Sequence, residues 1–164
     1  MNINKSKTRG FNKVIYNFDD DKLGELINYL SIINDGKDKK SKDFHNMLLV
    51  LDDCISDINF KKCKNLQNII VRGRHYGITL IFITQYLKSQ ACPPIVRNNA
   101  DYIFLGKQNR QSLEIAENEY NIYNNKQNFM DMMKKCGFNF QFVIINNGSI
   151  SNKDKYGIFR VPNI

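Results

Sequence analysis

The sequence predicts an α/β domain of three layers, a mainly parallel β-sheet covered by helices on both faces. Three observations carry this expectation. Segments with strand character alternate along the chain with segments of helical periodicity. The internal strand-like runs at 47–51 and 78–84 are apolar throughout, as strands buried on both faces are, instead of alternating between apolar and polar. The last two strand-like runs, 138–145 and 156–161, lie across a polar loop at 146–155, which suits a terminal hairpin. With 164 residues, 42% apolar and 12% aromatic, the chain is long and apolar enough for one domain with its own core.

Residues 1–12 are polar and basic and are expected to be flexible. Lys13-Val14-Ile15-Tyr16-Asn17-Phe18 reads as a short strand stopped by Asp19, Asp20 and Asp21, acids that complement the positive end of a helix. Leu23, Leu26, Ile27, Leu30 and Ile33 then recur at helical spacing until Asn34-Asp35-Gly36, and residues 36–42 form a lysine-rich, solvated loop. The apolar run at 47–51 ends abruptly at Asp52-Asp53. From about 60 to 76, Leu66, Ile69 and Ile70 sit among Lys and Arg at helical spacing, with Gly77 as the stop. The next apolar strand, 78–84, has Thr84-Gln85 at its tip. Pro93-Pro94 opens a short helix through Arg97 and Asn98, since proline is tolerated in a first turn. A strand at 101–105 and helices at 109–119 and 126–135, the second closed by Gly137, lead to the terminal hairpin, and no internal repeat is visible.

Several functional classes are disfavoured by composition. No apolar run approaches the roughly 20 residues of a membrane helix, and the first residues lack the apolar stretch of a secretory signal, so the expectation is an intracellular soluble protein without a membrane span. Cys54, Cys63, Cys92 and Cys136 lie far apart with no C-x-x-C pair and only His45 and His75 to assist, which argues against zinc and for reduced thiols. Lys and Arg outnumber acids 24 to 16, a formal charge of +8. That field favours a polyanion such as DNA or RNA, although a chain rich in Asn, Lys, Ile and Tyr also reports A/T-rich codons.

In open α/β sheets a ligand sits beyond the carboxyl ends of the strands, where Asp52, Asp53 and Gln85 lie. Of two adjacent carboxylates at such a tip, one can hold Mg²⁺ while the other, pointing the opposite way, orients or deprotonates a water. The Gln85 amide can bond both that water and a phosphate oxygen. The plain alternative is that Asp52-Asp53 caps the next segment and Gln85 is a loop residue.

The order of the parts separates these readings. Leu48-Leu49-Val50-Leu51-Asp52-Asp53 precedes a basic helix ending Arg72-Gly73-Arg74-His75-Tyr76-Gly77-Ile78, and then comes Leu80-Ile81-Phe82-Ile83-Thr84-Gln85. This resembles the FtsK–HerA superfamily of DNA-translocating ATPases, in which a Walker B strand is followed by a helix ending in an Arg-x-x-Gly-Ile-like run and a strand ending Thr-Gln. Within it the chain is most similar to the packaging ATPases of large DNA viruses, poxviruses included, since residues 93–102, from Pro93-Pro94-Ile95-Val96-Arg97 to Asp101-Tyr102, resemble the stretch after their sensor strand. The resemblance covers roughly residues 46 to 106. It implies a RecA-like core, ATP and Mg²⁺ as cofactors, Asp52 as the Mg²⁺ aspartate, Asp53 where a water-activating glutamate usually stands, and Gln85 as the sensor. One of Arg72, Arg74 and Arg97 would be an arginine finger reaching a neighbouring subunit's nucleotide, the alternative being that they cover the surface or contact DNA phosphate.

A phosphate-binding loop needs Gly-x-x-x-x-Gly-Lys-Ser/Thr, which the sequence lacks: Gly36-Lys37 is followed by Asp38 and Gly106-Lys107 by Gln108. The relatives carry this loop upstream of the Walker B strand, on a strand inside the sheet between the sensor strand and the one after it. The expected domain, 1–164, is therefore a single partial ATPase core: a basic tail at 1–12, a Walker B and sensor part at 13–106, and C-terminal helices and strands at 107–164. Its missing strand comes from a separate polypeptide, or the chain is a truncated or split gene product, or it repacks as a catalytically silent domain. The implied function is a component of a motor that packages double-stranded viral DNA, in a homo-oligomeric ring or with a partner carrying the Walker A half, at the assembly site in the host cytoplasm or in the virion. A non-catalytic DNA-binding or scaffold domain, and a translocase of conjugation or chromosome segregation, are the alternatives.

Overall fold

The computed structural model describes residues 18–53, 59–88, 91–123, 125–136 and 141–161. The flexible tail expected at 1–12 and nearly all of the strand expected at 13–18 lie outside these residues, as do Cys54 and the helix stop at Gly137. In chain order the elements are α1 (Asp20–Ile33), β1 (Met47–Asp52), α2 (Lys64–Tyr76), β2 (Ile78–Ile83), α3 (Pro94–Asn99), β3 (Tyr102–Leu105), α4 (Arg110–Tyr120), α5 (Lys126–Cys136), β4 (Gln141–Asn146), a 3₁₀ turn (Asn152–Asp154) and β5 (Tyr156–Arg160).

Helix α1 starts where the three acids predict, but they divide the work. Asp19 is the N-cap, its carboxylate accepting from the Asp21 and Lys22 N–H groups at 3.1 and 3.3 Å. The Asp20 carboxylate turns instead to the N-terminus of α2, accepting from the Asn65 N–H at 3.1 Å and the Leu66 N–H at 2.9 Å. It caps a helix whose own N-cap residue, Cys63, contributes no side-chain hydrogen bond. Helix α2 ends at Gly77, left-handed with φ of 77°. The Gly77 carbonyl then accepts from the Met47 N–H at 2.8 Å, which sets the start of β1 against β2.

Strands β1 and β2 are parallel, with Met47 opposite Ile78 and Asp52 opposite Ile83. Strands β3, β4 and β5 form an antiparallel sheet in that order, and β4 with β5 is the expected terminal hairpin. The expectation of a mainly parallel sheet is thus corrected: among the described residues the parallel part is one pair of strands, and β2 and β3 are not hydrogen-bonded neighbours.

The layering is corrected too. Met47, Leu49, Leu51, Ile78, Leu80 and Phe82 face α1 and α2. On the opposite face of the same strands Leu48, Val50, Ile81 and Ile83 are 44–59% exposed. The three-stranded sheet repeats this: Leu105, Val143 and Ile145 pack on α4 and α5, while Tyr102, Phe104 and Phe159 look outward. Apolar residues on both faces led to the expectation of helices on both. The described helices take one.

The two core clusters meet between the sheets. Phe60, Ile70 and Phe82 pack against both core clusters, and the Phe60 and Phe82 rings lie 6.0 Å apart. Beyond β2 the Leu87 N–H donates to Ser112 Oγ at 3.3 Å, at the start of α4 and just past the end of β3. The chain that follows β2 and the helix that follows β3 meet at this contact.

Candidate nucleotide-handling site

Parallel pairing with no register slip brings the tips of β1 and β2 level, and three predicted site residues meet there. The Asp53 N–H reaches the Ile83 carbonyl at 3.4 Å, carrying the strand contact one residue past β1. Asp53 then adopts φ of 49°, the left-handed region that aspartate tolerates better than most residues because its short side chain bonds locally. Past β2, the Thr84 hydroxyl donates to the Tyr86 carbonyl at 3.2 Å and accepts from the Tyr86 N–H at 3.4 Å, folding the chain into a tight turn around Gln85. Together these bends let Gln85 Nε2 donate to Asp53 Oδ2 at 3.3 Å.

Asp52 belongs to the same tip but a different face. Strand alternation places it with Leu48 and Val50 on the exposed face of the sheet, while the chain bends away at Asp53. All three side chains are exposed. Among the described residues no group of three or more His, Cys, Asp and Glu side chains gathers to hold a metal. Mg²⁺ needs less from the protein, commonly one or two carboxylates completed by water and phosphate oxygens, and Asp52 fits as a donor of that kind.

The predicted arginines separate. Arg72 and Arg74 are exposed near the C-terminal end of α2, just before β2 begins. They therefore lie a whole strand length, about 15–20 Å, from Gln85 and do not join the site of their own chain. Beside them Lys39 Nζ approaches His75 Nδ1 at 3.4 Å, folding the lysine-rich loop against the same helix end.

Arg97 is 7% exposed and turned inward. Its Nε and Nη2 donate to the two Glu119 carboxylate oxygens at 2.7 and 2.6 Å, and Nη1 donates to the carbonyls of Leu87, at 3.1 Å, and Cys92. Hydrogen bonding to Glu119 pushes the guanidinium pKa above its ordinary value, against the effect of burial. Tyr120 Oη and Asn147 Nδ2 approach the Arg97 carbonyl. This hub, which straps the segment after β2 to α4, was not legible in the sequence, since Glu119 lies 22 residues from Arg97 at no diagnostic spacing. The nearby Cys92 thiol is pushed up to about 11 by burial, and burial raises Cys63 as well, so neither is a nucleophile at neutral pH.

Residues 13–161 match the model of the family described as Poxvirus A32 protein. An uncharacterized protein of Acanthamoeba polyphaga mimivirus is 27% identical over 140 residues, which cover 82% of this chain and 49% of that protein. The chain thus spans about half the length of the curated relative it matches. No solved structure matches it. No helix among the described residues is long and apolar enough to cross a membrane.

Proposed function

The chain belongs to the poxvirus A32 protein family, a family of viral packaging ATPases, and from that premise we propose that it is the magnesium- and water-handling half of an ATP-driven motor that moves double-stranded DNA into a virus particle. The observation that carries the proposal is the contact of Gln85 with Asp53 across the level tips of a parallel strand pair, with Asp52 adjacent. Asp52 supplies a carboxylate for Mg²⁺. Asp53 holds the attacking water as acceptor. Gln85, anchored through its amide N–H, keeps its carbonyl oxygen to accept from that water, which fixes the direction of approach. Bound Mg²⁺-ATP supplies the phosphoryl group and its charge neutralisation; the chain's residues orient the water and the metal.

In this reading the phosphate-binding loop comes from outside these 164 residues, and the motor is an oligomer. Arg72 and Arg74 lie at the far end of β2 from their own site, so in this reading either would act as a finger in trans, on a neighbouring subunit's nucleotide. Arg97, held by Glu119, serves the fold instead. The site of action is the infected cell or the virion. A second reading, a DNA-binding or scaffold domain without catalysis, draws support from the Lys39–His75 contact, which gathers exposed basic residues beside Arg74.

Mg²⁺-dependent ATP binding tests both readings. It is measured on the chain supplied with the phosphate-loop segment of a poxvirus A32 protein, and on Asp52→Ala and Asp53→Ala variants. Asp52→Ala is expected to weaken binding about tenfold or more, equivalent to roughly 1.4 kcal/mol, and Asp53→Ala to stop hydrolysis while leaving binding. Equal affinity in all three sinks the site assignment and leaves the DNA-binding reading.

A further inference from the structure

We propose that Thr84 is a positioning residue for the candidate nucleotide-handling site: its hydroxyl closes the turn that aims the Gln85 carboxamide at Asp53 and so fixes which end of that amide is left for a water. The purpose of the contact rests on the ATPase reading, while the contact itself is testable on the chain without nucleotide.

Gln85 is a flexible, exposed side chain, and its hydrogen bond to Asp53 is long, at 3.3 Å. The entropy lost in holding a glutamine still is comparable to what one exposed hydrogen bond returns. The contact therefore persists only where the backbone already aims the side chain. On one side of Gln85 the chain is fixed by the Ile83 carbonyl, which accepts from the Asp53 N–H at 3.4 Å. On the other side buried Leu87 is held at both polar groups, its N–H donating to Ser112 Oγ at 3.3 Å and its carbonyl accepting from Arg97 Nη1 at 3.1 Å. Residues 84–86 hang between these two points. There the Thr84 hydroxyl donates to the Tyr86 carbonyl at 3.2 Å and accepts from the Tyr86 N–H at 3.4 Å, so one side chain holds both polar groups of the residue beyond Gln85. The main-chain hydrogen bonds on either side, Asp53 to Ile83 and Ala91 to Lys88, do not span Gln85.

The residue type suits this role. A β-branched side chain has few χ1 options, so threonine brings its hydroxyl to Tyr86 at less entropic cost than serine, while valine keeps the shape and makes neither bond. The direction of the amide follows from Asp53. An ionised carboxylate only accepts, so Gln85 Nε2 faces it and the carbonyl oxygen is left to accept from a water. A loosened turn lets the amide swing or flip, and Gln85 is then present but unaimed. The plain alternative is that Thr84 merely ends β2, in which case its loss lowers stability and leaves the contact as it is.

The contact is read by NMR of the isotope-labelled chain without nucleotide, through the Gln85 side-chain amide peaks, identified by their absence in Gln85→Leu. Asp53→Asn removes the charge but keeps a residue that tolerates the left-handed backbone, and it is expected to shift those peaks. The same Asp53→Asn change is expected to leave them unmoved in Thr84→Val and to shift them in Thr84→Ser. Thr84→Ala, which also lacks the hydroxyl, is expected to match Thr84→Val and covers the case in which the valine variant does not fold. Arg97→Ala, which breaks the buried pair with Glu119, is expected to lower the melting temperature more than Thr84→Val and still to keep the shift. In the chain supplied with the phosphate-loop segment of a poxvirus A32 protein, Thr84→Val is expected to lower kcat about tenfold at unchanged Kd for Mg²⁺-ATP.

Equal shifts in Thr84→Val and the parent overturn the proposal, as does the absence of any shift in the parent. Loss of the shift in Thr84→Ser as well assigns the effect to shape and not to the hydroxyl, and loss in Arg97→Ala assigns it to general loosening; either result overturns the positioning role. Loss confined to the variants without the hydroxyl, with no hydrolysis by the supplied parent, keeps Thr84 as the residue that sets the contact and refutes the ATPase reading. Hydrolysis by Thr84→Val at the parent's kcat keeps the ATPase reading and refutes the positioning role.

Discussion

Replacing Arg97 by alanine is expected to destabilise the fold by about 3 kcal/mol without touching the Asp53–Gln85 contact. The guanidinium makes a two-pronged ion pair with Glu119 at 2.6 and 2.7 Å and also serves the Leu87 and Cys92 carbonyls. Its removal leaves those carbonyls beside buried Leu87, Ala91 and Cys92, where each unsatisfied acceptor costs about 1–3 kcal/mol. Breaking a buried ion pair by deleting one member costs about 3–5 kcal/mol. The Glu119 side chain, however, is 28% exposed and can turn to water, which puts the sum at the lower end. For a domain of this length about 1 kcal/mol moves the melting temperature by roughly 2–4 °C, so a fall of about 6–12 °C is expected by calorimetry. Arg97→Lys keeps the charge but not the fork, and it should recover less than half of the loss. A fall under about 2 °C for Arg97→Ala would show that the strap is not structural, and would return Arg97 to the arginines available to a neighbouring subunit.

Gly77→Ala is expected to cost more than an ordinary helix-end change, about 2 kcal/mol or more. The φ there is 77°, and an added Cβ would meet the His45 carbonyl at 2.6 Å and Phe44 Cε1 at 2.7 Å. Urea denaturation reads it as a lower midpoint at unchanged slope, and a midpoint within error of the parent would refute the packing argument. The Cys92 thiol gives a pH prediction of definite sign. Its folded pKa of about 11 lies above the ordinary value of 9.0, so its contribution is fully present below pH 9 and is lost as pH rises from 9 through 11. Between pH 8 and pH 10.5 the parent should therefore lose about 2 kcal/mol more than Cys92→Ala. Parallel losses in the two proteins would refute the assignment.

Much of the site was legible in the sequence because it depends on strand ends. An apolar run that stops at Asp52-Asp53 and another that stops at Thr84-Gln85 predict where two tips lie, and parallel register then makes them level. Element positions followed equally local signals: the acids before α1, Gly77 after α2 and Pro93-Pro94 before α3 all mark boundaries where expected. Long-range side-chain choices were not legible. Asp20 serves α2 instead of α1, and Arg97 finds Glu119, because those pairings depend on how helices pack and not on spacing along the chain. Layering was misjudged for a physical reason as well. An apolar residue on the outer face of β1 or β2 looks the same in sequence whether a helix covers it or not.

The left-handed backbone at Asp53 decides which acid the position accepts. A glutamate in its place would have a longer arm. A glutamate has no short-range bond with which to hold φ near 49°, and the penalty for that region is about 1 kcal/mol or more for an ordinary side chain. The shorter acid gives up reach and keeps the bend, and the bend swings its carboxylate to Gln85. Conformation and identity at this residue are therefore one variable. A backbone that straightened there would suit the longer acid and part from its amide neighbour, so the choice of the shorter acid goes with the shape of the strand end.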